Sequence, residues 1–400
     1  MQTATIRSID YWLGVPLCAL LTALRSLLPE RRMRPKRILF LKFIEQGATV
    51  LAQDAIARAA RQVGRDNLYF CVFESNRAIL DVLDLIPAAN ILCIRDRQLT
   101  TFVIDFLGAL LTMRARGVDT VIDMEFFSRA SAIFGILSGA STRVGLHRYT
   151  GELPYRGDLL THRVQYNPHL HIANQYALLV EAAFLEPVDE PLLKFPFQPE
   201  APAEFVFVPS ADERQAMKAR LGEGAPVIIL NPNASDLLPL RKWELSKFIE
   251  LGRQLLERHP GARIALTGGP GEQAAATAIA QALDGGRVTS FAGHTTMREL
   301  LTLYSLADVL VTNDSGPGHF ASLTTVHAVV LFGPETPELF GSRSPNTTII
   351  WKALACSPCV NVFNHRLSPC RNNVCMQSIT VEDVFAAVQG AIERRASRAT

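Results

Sequence analysis

Three apolar runs in the second half of this chain each break into a polar turn rich in glycine or asparagine, and that repetition constrains the fold most. Val309, Leu310 and Val311 lead into Asn313-Asp314-Ser315-Gly316-Pro317-Gly318-His319; a small-residue helix start follows at Phe320, Ala321 and Ser322, then a second apolar run over residues 328–332. Val227-Ile228-Ile229-Leu230 leads into Asn231-Pro232-Asn233-Ala234-Ser235, with Arg241-Lys242-Trp243 a few residues on. Ile264-Ala265-Leu266 leads into Thr267-Gly268-Gly269-Pro270-Gly271-Glu272. Each reads as a strand ending in a turn that opens a helix. Parallel strands put such turns on one edge of the sheet, where they converge on a ligand crevice. Free N–H groups at a helix start favour an anion, and small residues allow its close approach. Asp-Ser-Gly is also an ordinary helix cap, so one such turn alone would decide little. Three together imply an anionic ligand that carries hydroxyl groups, as a nucleotide-sugar does.

The first half alternates in the same way. Ile38-Leu39-Phe40-Leu41 reads as a buried strand, Gln46-Gly47-Ala48 as its turn and residues 49–62 as the following helix. Further strands are expected at 68–73, 91–94 and 118–124, and helices at 128–137 and 171–185, with a loop and short strand from Gly139 to Gly145. Alternation of this kind predicts an α/β fold with doubly wound parallel sheets. Pro187, Pro191, Pro196, Pro199 and Pro202 cannot lie in one regular element, which places an interdomain linker at 187–205. The resulting expectation is an N-terminal segment (1–35), a first Rossmann-like domain (36–186), the linker, a second Rossmann-like domain (206–388) with helices near 241–258 and 296–306, and a tail (389–400). Thr296-Met297-Arg298-Glu299 has the pattern of a capping box. Four hundred residues suit two such cores. With 40 basic and 38 acidic residues the formal charge is +2, which argues against a dedicated nucleic-acid binder. The chain has no Walker-type loop, no HExxH and no internal repeat.

Residues 11–28 are strongly apolar, with Leu17, Leu20, Leu21, Leu24, Leu27 and Leu28 at helical spacing and Arg7, Asp10 and Arg25 flanking or interrupting them. The run is short for a membrane span of about 20 residues. It is not followed by a small-residue cleavage site, which argues against a removable signal. Arg31, Arg32, Arg34, Lys36 and Arg37 come directly after it. A transmembrane anchor ranks third, behind two readings of an apolar helix beside a basic cluster: one lying on an anionic inner leaflet, or one packed on the domain's own surface. Either reading leaves the body of the protein in the cytoplasm.

Asp314-Ser315-Gly316-x-x-His319, Leu331-Phe332-Gly333-Pro334-x-Thr336-Pro337 and Thr267-Gly268-Gly269-x-x-Glu272 resemble the C-terminal signature of the glycosyltransferase family 9 heptosyltransferases, which build the lipopolysaccharide inner core. The similarity runs from about Lys36 to about Val388. It implies the GT-B architecture, two Rossmann-like domains facing a cleft. It further implies inverting transfer of a heptose or related sugar from an ADP- or other nucleotide-diphosphate donor to a lipid-linked saccharide, with no cofactor required for the transfer. The donor side would comprise Asn231, Arg241, Lys242, Thr267, Gly268, Glu272, Met297, Asp314, Ser315, Gly316 and His319. In this scheme Arg241 grips phosphate where the family commonly has Lys, and Glu272 binds the ribose hydroxyls.

A base must also take the acceptor's hydroxyl proton. The family commonly ends its first strand in Gly-Asp; here the pair is Gly47-Ala48, and alanine accepts no proton. Glu45, in the same loop, and Asp123, at the end of a later strand, are the candidate bases. Cys18, Cys71 and Cys93 lie in apolar settings and read as buried thiols. Cys356, Cys359, Cys370 and Cys375 have a spacing close to that of a four-cysteine zinc or iron knuckle, with His365 between the pairs; simple packing or redox pairing is the alternative. Two other functional readings stand beside the leading one: a protein O-heptosyltransferase, suggested by the cysteine cluster, and a non-catalytic nucleotide-sugar binder, suggested by Ala48.

Overall fold

The computed structural model describes residues 10–27, 33–199, 205–234, 238–283, 286–363 and 367–399. Arg7, Leu28, Arg31, Arg32, Pro202, Ser235 and His365, all singled out above, lie outside the described residues. The chain divides into two compact units, Met1–Ala203 and Glu204–Thr400. Among the described residues no helix or strand interrupts the stretch between the helix ending at Ala183 and the one starting at Ala211.

In the first unit six strands pair in the order β3-β2-β1-β4-β5-β6: β1 (Ile38–Leu41), β2 (Leu68–Phe73), β3 (Ile91–Ile94), β4 (Thr120–Asp123), β5 (Thr142–His147) and β6 (His162–Gln165). Every pairing is parallel. β1 is central, so all four of its residues are buried, and its sequence is an unbroken apolar run. Leu39, Leu41, Tyr69, Cys71 and Val121 form one core with Ala109, Leu110 and Met113 of the Leu99–Ala115 helix and Phe134 of the Arg129–Leu137 helix. The N-terminal Val15–Ser26 helix packs Cys18 and Leu21 onto Ala132, Ile133 and Leu159.

The second unit repeats the plan. Its sheet runs β12-β11-β10-β7-β8-β9, with β7 (Val227–Asn231), β8 (Arg263–Leu266), β9 (Val288–Ser290), β10 (Val309–Asn313), β11 (His327–Phe332) and β12 (Thr347–Trp351), again parallel throughout. Read from the opposite edge this is the same winding as in the first unit. In both, the winding reverses between two central strands: β1 and β4 in one, β7 and β10 in the other. A reversal leaves a crevice beyond the carboxyl ends of those strands, because the chain departs from them in opposite directions. The Met297–Leu306 helix starts with the expected capping box, Thr296 Oγ1 accepting from Glu299 N–H (3.2 Å) and Glu299 Oε2 from Thr296 N–H (2.8 Å).

Candidate functional site

In the second unit the reversal point carries the motif residues. Asn231 ends β7 and pairs in register with Thr312 of β10. Its amide donates to Thr267 Oγ1 (3.1 Å), and its carbonyl oxygen accepts from Asn233 N–H (3.2 Å). Asn233 in turn donates to the Thr267 carbonyl (3.3 Å). Asn313 ends β10; it donates to the carbonyls of Pro232 (3.0 Å) and Asn233 (3.2 Å) and accepts from Trp243 N–H (3.0 Å). The asparagines thus lace the turns after β7, β8 and β10 together. A Cβ on Gly268 would lie 2.7 Å from Asn233 Nδ2, so that turn requires glycine. Glu272 folds back so that its Oε2 accepts from Gly269 N–H (2.6 Å).

Arg241 sits in the Pro239–Arg241 turn rather than in the helix expected over 241–258, which begins at Leu245. Its guanidinium meets Asp314 Oδ2 (3.3 Å from Nε) and is ion-paired with Glu335. Both acids are buried, and burial pushes both carboxyls upward against the pull of Arg241, Glu335 to about 7. The side chain of Arg241 keeps 13% exposure. The turn is held from behind by Asn373, whose amide donates to the carbonyls of Leu240 (3.0 Å) and Lys242 (3.1 Å). Ser315 precedes the Gly316–Ala321 helix but does not cap it; its hydroxyl donates back to the Asn313 carbonyl (3.1 Å). That helix has six residues, so its dipole is short and Arg241 is the stronger source of positive charge here. Lys242, His319 and Met297, the last at the start of its helix, are half-buried. Glu335 was not among the expected site residues. Its sequence signal was the variable position in Gly333-Pro334-x-Thr336, directly after a strand end.

In the first unit the equivalent crevice holds another ion cluster. Lys42, directly after β1, is fully buried and ion-paired with Glu125 (3.0 Å) and Glu45 (3.1 Å). Glu125 also accepts from the backbone N–H of Phe43 (2.6 Å). Glu45 adopts a left-handed conformation (φ 71°) just before the Gln46–Leu51 helix that contains Ala48, and its side chain keeps 23% exposure. Asp123 is buried: it accepts from Ser131 Oγ (2.7 Å) and Glu125 N–H (3.0 Å), with Arg156 at 3.9 Å, and burial pushes it up to about 6. The structure therefore separates the two candidate bases, Glu45 facing solvent in part and Asp123 engaged inside.

The structure does not support the metal expectation. Among the described residues no group of three or more His, Cys, Asp or Glu side chains is placed to hold an ion. Cys375 is buried in the apolar core, Cys356 is exposed, Cys359 lies 3.2 Å from Ser368 Oγ and Cys370 3.5 Å from Asn372 Oδ1. The thiols of Cys356, Cys359 and Cys370 lie near enough to Cys375 to add to the upward push that burial gives its thiol. No helix among the described residues is long and apolar enough to cross a membrane.

Two doubly wound parallel units of this kind define a GT-B fold. An Escherichia coli ADP-heptose lipopolysaccharide heptosyltransferase II structure superposes with a TM-score of 0.67 at 18% identity, covering 90% of this chain and 99% of that one. A Veillonella parvula glycosyltransferase family 9 structure gives 0.69 at 15% identity, with the same coverage. The sequence profile of Glycosyltransferase family 9 (heptosyltransferase) matches residues 110–366, and the chain belongs to that family. Lipooligosaccharide heptosyltransferase 2 of Campylobacter jejuni is 28% identical over 176 residues (42% of this chain and 52% of that protein). The Haemophilus influenzae protein of the same name is 30% identical over 165 residues (40% and 46%). The chain thus spans about half the length of the curated relatives it matches.

Proposed function

We propose that this protein is an inverting glycosyltransferase that moves a heptose or related sugar from ADP-heptose or a similar nucleotide-diphosphate sugar to a lipopolysaccharide-type, lipid-linked saccharide, working on the cytoplasmic side of the membrane. The observation that carries the reading is the buried Arg241 at the β7/β10 reversal, framed by Asn231, Thr267, Asp314 and Ser315. A guanidinium fixed there can take up the charge that grows on the leaving diphosphate. Glu272 would hold the ribose hydroxyls; Met297 would line the nucleoside end; Gly316, Gly268, His319 and Lys242 would complete the phosphate and sugar contacts.

Of the two candidate bases, Glu45 is the one this reading assigns. A base must reach the acceptor hydroxyl, and the solvent-facing Glu45 meets that need better than buried Asp123. In this assignment Ala48 does not abolish transfer; its role passes three residues back along the same loop.

Thermal shift with ADP, UDP and their sugars tests the donor reading. Ligand at ~100 times its dissociation constant should add about 2.7 kcal/mol. Arg241→Ala should abolish that gain, and a protein that responds to no nucleotide would defeat the proposal. Release of ADP on adding a lipopolysaccharide core acceptor, absent in Glu45→Gln, tests the base. A polypeptide acceptor in its place separates saccharide from protein transfer.

A further inference from the structure

Two helices of the first unit carry few charged side chains, tie most of them to neighbouring groups and turn apolar side chains outward. Between Asp10 and Leu27 the charged residues are Asp10 and Arg25. Asp10 is ion-paired with Arg129, and Arg25 reaches Asp158 through its carboxylate (2.9 Å) and its carbonyl (2.7 Å). The outward side chains are Trp12, Leu13, Leu20, Leu24 and Leu27, between 48% and 79% exposed. In the Leu99–Ala115 helix the charged residues are Asp105 and Arg114. Asp105 is tied to Arg95 by two side-chain hydrogen bonds of 2.7 and 2.8 Å. Leu99, Val103, Ile104, Leu107 and Leu111 face out at 45–67% exposure. These five recur at helical spacing along one stripe. A water-facing helix normally carries its charge outward, and isolated exposed leucines are ordinary whereas two such stripes are not.

Both helices flank the Arg129–Leu137 helix on one side of the sheet. Phe106 meets Phe134 edge-on at 4.8 Å, Cys18 and Leu21 pack on Ala132 and Ile133, and Leu137 packs against both groups. Where the Leu99–Ala115 helix ends, Arg34, Lys36, Arg37, Arg114 and Arg116 are exposed. Arg37 donates to the Arg116 carbonyl (2.8 Å), which joins the two basic segments. Asp119, beside them, already accepts from the backbone N–H groups of Lys36 (3.1 Å) and Arg37 (3.1 Å).

We propose that this face is a docking surface for an anionic lipid bilayer. The two apolar stripes would enter the interface, and the basic residues would lie among the headgroups. Apolar helices bordered by lysine and arginine bind such surfaces, and aromatic side chains like Tyr11 and Trp12 favour the headgroup level. Charge selects the occupant: a second copy related by a twofold axis would bring like basic rims together. The proposal concerns surface chemistry and does not rest on the sugar-transfer reading.

Flotation of the full chain with vesicles of phosphatidylcholine, alone or mixed with phosphatidylglycerol, tests it. The protein should float with the anionic vesicles and be partly released by salt. Leu107→Glu, and separately Leu20→Glu, should lower partitioning by about tenfold or more. Lys36→Glu should lower it by about fivefold, on anionic vesicles alone. Circular dichroism and the melting curve establish that each variant is folded. The idea is overturned if the wild type floats with neither vesicle, or if folded Leu107→Glu floats as well as wild type. It is also overturned if the wild type fails to float while forming a dimer that Leu107→Glu dissociates, since a second copy would then cover the face.

Discussion

The two reversal points have the same plan and opposite arrangements of charge. Each places one buried cation between two carboxylates: Lys42 with Glu125 and Glu45, Arg241 with Asp314 and Glu335. In the first unit Lys42 is wholly enclosed, and Glu125 takes a further hydrogen bond from the backbone. That cluster is closed on the inside and offers solvent one carboxylate, Glu45. In the second unit the cation is the partly exposed member, while both acids are buried and their carboxyls are pushed upward. The same topology thus presents a carboxylate in one unit and a guanidinium in the other. In the proposed reading the carboxylate would serve as the proton acceptor and the guanidinium as the grip on the diphosphate.

The largest expected effects come from removing either cation. Lys42→Ala leaves buried Glu125 uncompensated and Arg241→Ala leaves buried Asp314 and Glu335, each a loss of about 3–5 kcal/mol measurable by urea denaturation. The two should part company in ligand response: a folded Lys42→Ala protein keeps its thermal shift with ADP, and Arg241→Ala does not. Equal loss of the shift in both would break the contrast drawn above.

Next in size is pH dependence. The carboxyl of Glu335 sits at about 7 in the folded chain against an ordinary 4.5, because burial disfavours its charge. The folded state therefore holds this proton more tightly than the unfolded one. Its contribution is full below about 4.5 and is lost as pH rises towards 7. Glu335→Gln should flatten the stability curve in that window. Asp123→Asn should do the same in a lower window, between 3.8 and about 6. The same titration bears on ligand: an ionised Glu335 adds negative charge beside the site, so ADP should bind more weakly as pH passes 7 in the wild type and less so in Glu335→Gln. The smallest effect is expected from Asn231→Ala, which removes the bond to Thr267 and costs about 1–2 kcal/mol with donor affinity reduced only modestly.

Much of this was legible in the chain itself. The strands at 38–41, 68–73 and 91–94 coincide with apolar runs because strands buried on both faces admit few polar residues. The turns that end β7, β8 and β10 do meet at one edge, as parallel pairing demands. The Leu99–Ala115 helix escaped because it is apolar nearly all round and so shows no contrasting face. β6 escaped for the opposite reason, its His-Arg-Val-Gln sequence being mostly polar. The helix expected over 49–62 is two, Gln46–Leu51 and Gln53–Val63, joined at Ala52. Glu335 and the Lys42–Glu125 pair could not be assigned from spacing, since the partners lie 94 and 83 residues apart and only the fold brings them together. The cysteine spacing does bring the four thiols into one neighbourhood, yet among the described residues no group of three or more ligands is placed to hold an ion.

Asn373 carries a consequence beyond its two hydrogen bonds. It stands some 130 positions after the arginine turn that it grips, past the end of β12. A shortened chain stopping after Trp351 would keep the glycine- and asparagine-rich turns and the twelve described strands, yet its arginine turn would lose both bonds from Asn373. A segment beyond the last strand thus helps to brace the turn that carries the central charge.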